Sequence, residues 1–302
     1  AFTTKDWDAS IAAYEKALAA IGDDPVLGGW RDQANDNAAC AQARAGRAAL
    51  AAETFAKSVK DGLRRVVGRG PTRDWVYGSG LALEHVLADA DLDPIRKEKA
   101  YTDALAPYLA GGEPLIELTE TADGPAAPAV IVLAADGDDA ERALPAWRVA
   151  AKGRRVVLVA LAGPVRPTPK ERHWTLRDGD DRWAVAKIRA TLDQIAKDAR
   201  IDAKRVFVAG VGERPGEIAW AAGLAEPSRV AGLAAPGARF HAAWHADAIA
   251  AAPKEWRVAL GAADEAPAKL LKARGIDAVR VEASNDESKV TAALLDAMLG
   301  PR

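Results

Sequence analysis

The sequence predicts an α/β protein, a mostly parallel sheet with helices on both faces, preceded by an all-helical module. Past Pro107 the chain turns into short apolar runs that alternate with amphipathic stretches of helical period. Before Pro107, apolar residues recur at helical spacing with almost no β-branched runs. The 302 residues also exceed one ordinary domain, at roughly 150 residues each. The expected division is a helical module over 1–110 and an α/β domain over 111–302.

Residues 5–108 read as helices throughout. In the first, Ile11, Tyr14, Ala17 and Leu18 share a face, after Asp6 or Asp8 as N-cap and before the stop at Gly22-Asp23-Asp24-Pro25. A second is expected over about 30–45, ending at Gly46, and a third over about 48–60, ending at Asp61-Gly62. Sliding the chain by 41 residues places Tyr14 on Phe55, Lys16 on Lys57 and Leu18 on Val59. On these residues, DASIAAYEKAL at 8–18, NAACAQARAG at 37–46 and AETFAKSV at 52–59, the segment 5–62 resembles tetratricopeptide repeats. DADLDPIR at 89–96 resembles their closing segment. The spacing exceeds the usual repeat of about 34 residues and the first repeat lacks its leading helix, so the resemblance implies a short, capped module. It also implies that the module contacts a protein or peptide.

Strands are expected at 115–119, 129–134, 155–161, 206–209, 230–234, 257–260 and 278–281. Helices are expected between most of them, at about 139–152, 182–199, 216–225, 266–274 and 287–299. Strands apolar on both faces and alternating with amphipathic helices belong to a sheet covered on both sides.

In such sheets ligands sit beyond the carboxyl ends of the strands, so the residues following each strand carry the functional information. RIDAKRVFVAG at 200–210, the Ala219-Trp220 pair and EPSRVAGL at 226–233, with GRRVVLVA at 153–160 and LGAAD at 260–264, resemble the α/β-hydrolase superfamily, specifically its esterase and dienelactone-hydrolase-like branch. The resemblance covers about 113–302. It implies a serine at the centre of G-x-S-x-G on a tight strand-to-helix turn, a histidine base after the last strand and an acid after the preceding one. Here the turn reads Gly210-Val211-Gly212-Glu213-Arg214, which puts Gly212, or with a shift of one Glu213, at the nucleophile position. Asp264 matches the acid. Asn285 or Asp286 stands where histidine belongs, and no histidine follows His245. Where the family carries His-Gly beside its oxyanion donors, this chain has Asp136-Gly137, and a carboxylate there opposes a developing oxyanion.

Gly212, Asp264 and Asp286 are therefore vestigial triad positions, and Asp136, Gly137, Glu213 and Arg214 are candidates for binding in the cleft. The expectation is a pseudoenzyme that binds a protein or a small molecule. The alternatives are an ester hydrolase with a misplaced or non-standard site, and a structural subunit of a larger assembly.

Other constellations are weaker. His241 and His245 are spaced to share a helix face and a metal ion, with Asp247 nearest as third ligand, but surface or lid histidines are the simpler reading. Asp-Gly-Asp-Asp occurs at 136–139 and 178–181 without a calcium-loop continuation, so the first should cap a helix and the second form a solvated turn. Gly78-Ser79-Gly80 places a hydroxyl between small residues but follows no expected strand. His173-Trp174, Trp183, Trp220 and Trp244 could line a pocket by the cleft, though most of the tryptophans should be core.

Lys plus Arg number 41 against 43 Asp plus Glu, a net charge of −2, with no basic run to meet a phosphate backbone; nucleic acid is not an expected partner. No run approaches the roughly 18 apolar residues that a membrane helix needs. Cys40 is the one cysteine, which excludes an intramolecular disulfide and any multi-cysteine metal site. No cofactor is expected. The chain opens at Ala1 and its one methionine is Met298, from which a trimmed N-terminus is expected, compatible with export after removal of a signal peptide. The compartment stays open.

Overall fold

The computed structural model describes residues 5–24, 27–59, 65–69, 75–78, 86, 89–109, 113–120, 124–164, 172–174, 182–240 and 242–301. The chain forms two compact units: Ala1–Gly112 with Pro164–Arg172 and Leu176–Asp178, and Glu113–Gly163 with His173–Thr175 and Gly179–Arg302.

In the first unit α1 (Trp7–Ile21), α2 (Gly28–Arg44) and α3 (Ala48–Ser58) follow one another, and α2 packs against both neighbours. Asp6 caps α1, accepting the Ala9 amide at 3.0 Å. The alanines Ala39, Ala43, Ala51 and Ala52 are buried in the seam, where small side chains let helix axes approach. A short 3-10 helix, Ala90–Ile95, buries Leu92 and Ile95 in the same core. Helix α4 (Lys99–Leu109) adds Tyr101, Leu105 and Tyr108. The Phe55 and Tyr101 rings lie 4.8 Å apart, and the Tyr108 hydroxyl donates to the Val59 carbonyl at 3.0 Å.

The expectation of helix throughout 5–108 is wrong in one place. Strands β1 (Arg65–Arg69) and β2 (Trp75–Gly78) pair antiparallel, with a register shift between Val66 and Gly68. Val66-Val67 and Trp75-Val76-Tyr77 are β-forming sequences on either side of Gly70-Pro71, a turn signal that outweighs the neighbouring helical periodicity. Gly78 thus ends a strand; Ser79 and Gly80 lie outside the described residues.

Cys40 is buried on α2. Burial, helped by Asp36, Asp89 and Asp91, pushes its thiol far above the ordinary range, so thiolate is scarce at neutral pH. We expect the native protein to resist maleimide and to be labelled stoichiometrically once unfolded in urea. Rapid labelling of the folded protein would contradict the packing described.

The second unit holds β3 (Leu115–Leu118), β4 (Ala127–Leu133), α5 (Ala140–Ala151), β5 (Val157–Leu161), α6 (Arg182–Ile195), β6 (Ile201–Gly210), α7 (Glu213–Ala225), β7 (Gly232–Ala234), α8 (Ala242–Ala251), β8 (Arg257–Gly261), α9 (Glu265–Arg274), β9 (Ala278–Val281) and α10 (Glu287–Leu299). Among the described residues the sheet has seven strands in the order β3-β5-β4-β6-β7-β8-β9. Every neighbouring pair is parallel except β3 with β5. The α/β class expected from the sequence is the class observed. Helix α8 is additional to the expected set.

The two faces of the sheet separate cleanly because side chains alternate along each strand. Ala129, Ile131 and Leu133 of β4 join Ile188, Leu192, Trp220, Trp256 and Leu271, so α6 to α9 cover one face. Val130 and Val132 join Leu144, Trp147, Leu294, Leu295 and Met298, so α5 and α10 cover the other. The edge strand β3 is tied down by charge: Arg148 of α5 donates to both carboxylate oxygens of Glu117. That bond holds the Glu117 carboxyl below its ordinary range. Among the described residues no helix is long and apolar enough to cross a membrane.

Candidate functional site

Strand β4 has β5 on one side and β6 on the other, and the chain runs from β4 to β5 before crossing back to β6. The order reverses at β4 and β6, so a crevice opens beyond their carboxyl ends between the segments 134–139 and 211–212.

The corner after β6 is built by glycine. A Cβ on Gly210 would lie 2.0 Å from the Pro215 carbonyl oxygen, so the strand end and the first turn of α7 touch backbone to backbone. Gly212 then adopts φ 91° and ψ −177°, a region that glycine alone occupies comfortably. Its amide donates to the Pro236 carbonyl at 2.9 Å, and its own carbonyl accepts the Gly216 amide at 3.1 Å. Among the described residues nothing lies within 4 Å of where its Cβ would be. The residue at this corner therefore presents no side chain to the crevice.

Asp264 is committed elsewhere. Its Oδ2 accepts the Gly261 amide at 2.6 Å and the Gly237 amide at 3.2 Å. The site for a Cβ on Gly237 is 3.7 Å from the Gly212 Cα, so the structure brings Gly212 and Asp264 together through the Gly237 turn. Asp286 is a helix cap. It accepts the amides of Ser288 at 3.1 Å and Lys289 at 3.4 Å, and its carboxylate lies 3.8 Å from Lys289 Nζ. It makes no hydrogen bond or ion pair with either of the other two positions.

The Asp136 loop carries a mixed-charge cluster. Asp136 Oδ1 accepts the Trp174 amide at 2.9 Å, while Oδ2 lies 4.0 Å from His173 Nδ1 and 4.0 Å from Arg214 Nε. Arg214 donates to Glu217 at 2.7 Å, and Glu217 is buried. Trp174 is fully buried, with its indole N–H on the Ala134 carbonyl at 2.7 Å. Gly137, at φ 88°, turns the loop towards Asp139, which caps α5 by accepting the Arg142 amide at 3.0 Å. Glu213 pairs with Arg239. Asp136 therefore faces a guanidinium as well as the crevice, but shares that guanidinium with Glu217, which lies closer to it.

A cavity of about 390 Å³ lies beside this cluster, on the α5 and α10 side of the sheet. Ala134, Ala135, Trp147, Val211 and Val290 form its apolar wall, and Ser284 and Glu287 stand on its lining. Asp136, Gly137, Gly212, Glu213 and Arg214 do not line it. Of the binding residues expected from the sequence, Asp136 and Arg214 meet in one charged cluster while Glu213 pairs with Arg239, and the partly open cavity lies next to them. Sequence reasoning did not reach Glu217, or Trp147, Val211, Ser284 and Val290 as a group. Val211 had a local signal in the sequence, an apolar residue between the two glycines of the corner. The others come from separate elements that only the fold brings together.

His241 lies outside the described residues, as do the side chain of His245 and the 178–181 repeat of Asp-Gly-Asp-Asp. Among the described residues no group of three or more His, Cys, Asp and Glu side chains could hold a metal ion.

No protein-family profile matches the chain, nor does any curated protein. Solved structures similar to it include the esterase PE8, at 17% identity, covering 62% of this chain and 99% of that one with a TM-score of 0.46. A Bacillus cereus carboxylesterase is 13% identical, covering 63% of this chain and 96% of that one at 0.44. An uncharacterized protein from Bacillus cereus ATCC 10987 is 12% identical, covering 96% of this chain and 93% of that one at 0.47.

Proposed function

We propose that the second unit is an α/β-hydrolase-like domain without hydrolase activity, and that it works by binding. In this reading a small molecule occupies the cavity beside Val211, and the helical module is a surface for a protein or peptide. The observation that carries the proposal is Gly212, a residue without a side chain at the corner where acyl transfer needs a hydroxyl. The roles of the neighbours agree with it. Asp264 Oδ2 holds two backbone amides and Asp286 caps a helix, and among the described residues no histidine is hydrogen-bonded to either. Removing such residues from a working serine hydrolase costs on the order of 10⁶ in turnover.

The expected result is no hydrolysis of short-chain p-nitrophenyl esters above a heat-denatured control, and no labelling by a fluorophosphonate probe. Raised thermal stability in a screen of small apolar molecules, lost in Val211→Arg, would locate the binding.

One observation favours the second reading, an ester hydrolase with a displaced site: His173 Nδ1 stands 4.0 Å from Asp136, an acid beside a base at the crevice. Ester turnover abolished by His173→Ala would establish that reading in place of the first.

A further inference from the structure

We propose a second ligand site at the opposite end of the sheet, a groove that takes a compact, multiply charged oxyanion, with a phosphate ester as the chemistry that fits. The groove, about 450 Å³, lies at the amino ends of β6, β7 and β8. That volume is in the usual range for small ligands, about 300–1,000 Å³.

Its charge is lopsided in a chain whose total is nearly balanced. Lys204, Arg205, Arg229 and Arg257 line it, against the single carboxylate of Glu255. Arg229 is already neutralised, 2.7 Å from Asp193 and 3.5 Å from Glu226. The other three cations are not. Lys204 and Arg205 are exposed and make no ion pair among the described residues. Arg257 donates to the Met298 carbonyl at 3.1 Å, which fixes the guanidinium without cancelling its charge. The nearest acid in sequence, Asp202, is turned back onto the chain, accepting the Lys204 amide at 3.0 Å.

Three cations around one carboxylate favour a ligand with more than one negative charge, since a monoanion satisfies only one of them. Guanidinium forks match phosphate oxygens two at a time, and the Ser228 hydroxyl adds a neutral donor on the same lining. The groove is open to solvent, so binding there should weaken with salt.

The test is isothermal titration calorimetry of the full chain with inorganic pyrophosphate and with citrate, at low salt and in added sodium chloride. Pyrophosphate should bind at low salt, and Lys204→Ala with Arg205→Ala should weaken it by about tenfold or more. The charge-matched control, Lys269→Ala with Lys272→Ala on α9, removes as much positive charge from outside the groove and should leave the affinity within about twofold. All four side chains are exposed, and circular dichroism should show unchanged folds. Citrate binding as tightly as pyrophosphate would keep the site and widen its chemistry to polycarboxylates. No binding at millimolar pyrophosphate, or equal weakening by the control pair, would overturn the proposal. The outcome is independent of what happens at the Gly212 end.

Discussion

Gly210→Ala should destabilise the protein by about 3 kcal/mol or more, a large part of the 5–15 kcal/mol that holds an ordinary domain together. The added methyl would sit 2.0 Å from the Pro215 carbonyl oxygen, 2.3 Å from its carbonyl carbon and 2.8 Å from the Gly216 nitrogen. All three are backbone atoms of α7, so no rotamer change relieves the overlap. Gly210 also pairs with Leu133 of β4, which prevents the strand end from moving away freely. Gly137→Ala is the comparison. Its φ of 88° also disfavours alanine, yet nothing among the described residues lies within 4 Å of the new methyl, so a cost of only about 1 kcal/mol is expected. Urea denaturation of both variants measures the difference. A Gly210→Ala midpoint no lower than that of Gly137→Ala would mean that the strand and helix are farther apart than described.

Asp264→Ala should cost about 2 kcal/mol, with Asp264→Asn losing roughly half of that. The alanine leaves the Gly261 and Gly237 amides without the carboxylate that accepts them, and hydrogen bonds to a charged acceptor are worth about 1.5–3 kcal/mol when well buried. This carboxylate is partly exposed, which lowers the figure. Asparagine keeps one acceptor oxygen. Thermal unfolding reads the effect, and it separates two roles for one residue. An orienting acid, when replaced, lowers turnover and leaves stability nearly alone; the residue described here should do the reverse.

How far the sequence reaches depends on how local the deciding physics is. The seven strands of the large sheet are legible because apolar runs such as Ala-Val-Ile-Val-Leu at 129–133 are buried on both faces, and no competing period fits them. Boundaries are less so. Strand β6 starts at Ile201 instead of Val206 because Ile201 still pairs with Ala127, across an irregularity in which the exposed residues 203–205 interrupt the apolar pattern. Helix α7 starts at Glu213 instead of Gly216 because Pro215 is tolerated in a first turn, where its missing N–H has no partner to lose. The β1 and β2 hairpin was obscured by helical spacing on both sides of it. At the site, the triad positions could be checked one by one against a motif, since each follows a strand. The cluster joining Asp136, His173, Arg214 and Glu217 could not, because no periodicity links a residue before α5 to one inside α7. The cation groove was hidden for a different reason: a whole-chain charge of −2 averages away a local excess.

The backbone at residue 212 also limits what this corner can carry. At φ 91° and ψ −177° any residue with a Cβ is strained, so a side chain installed there would be accommodated only at a cost in stability or by a rearrangement of the turn between β6 and α7.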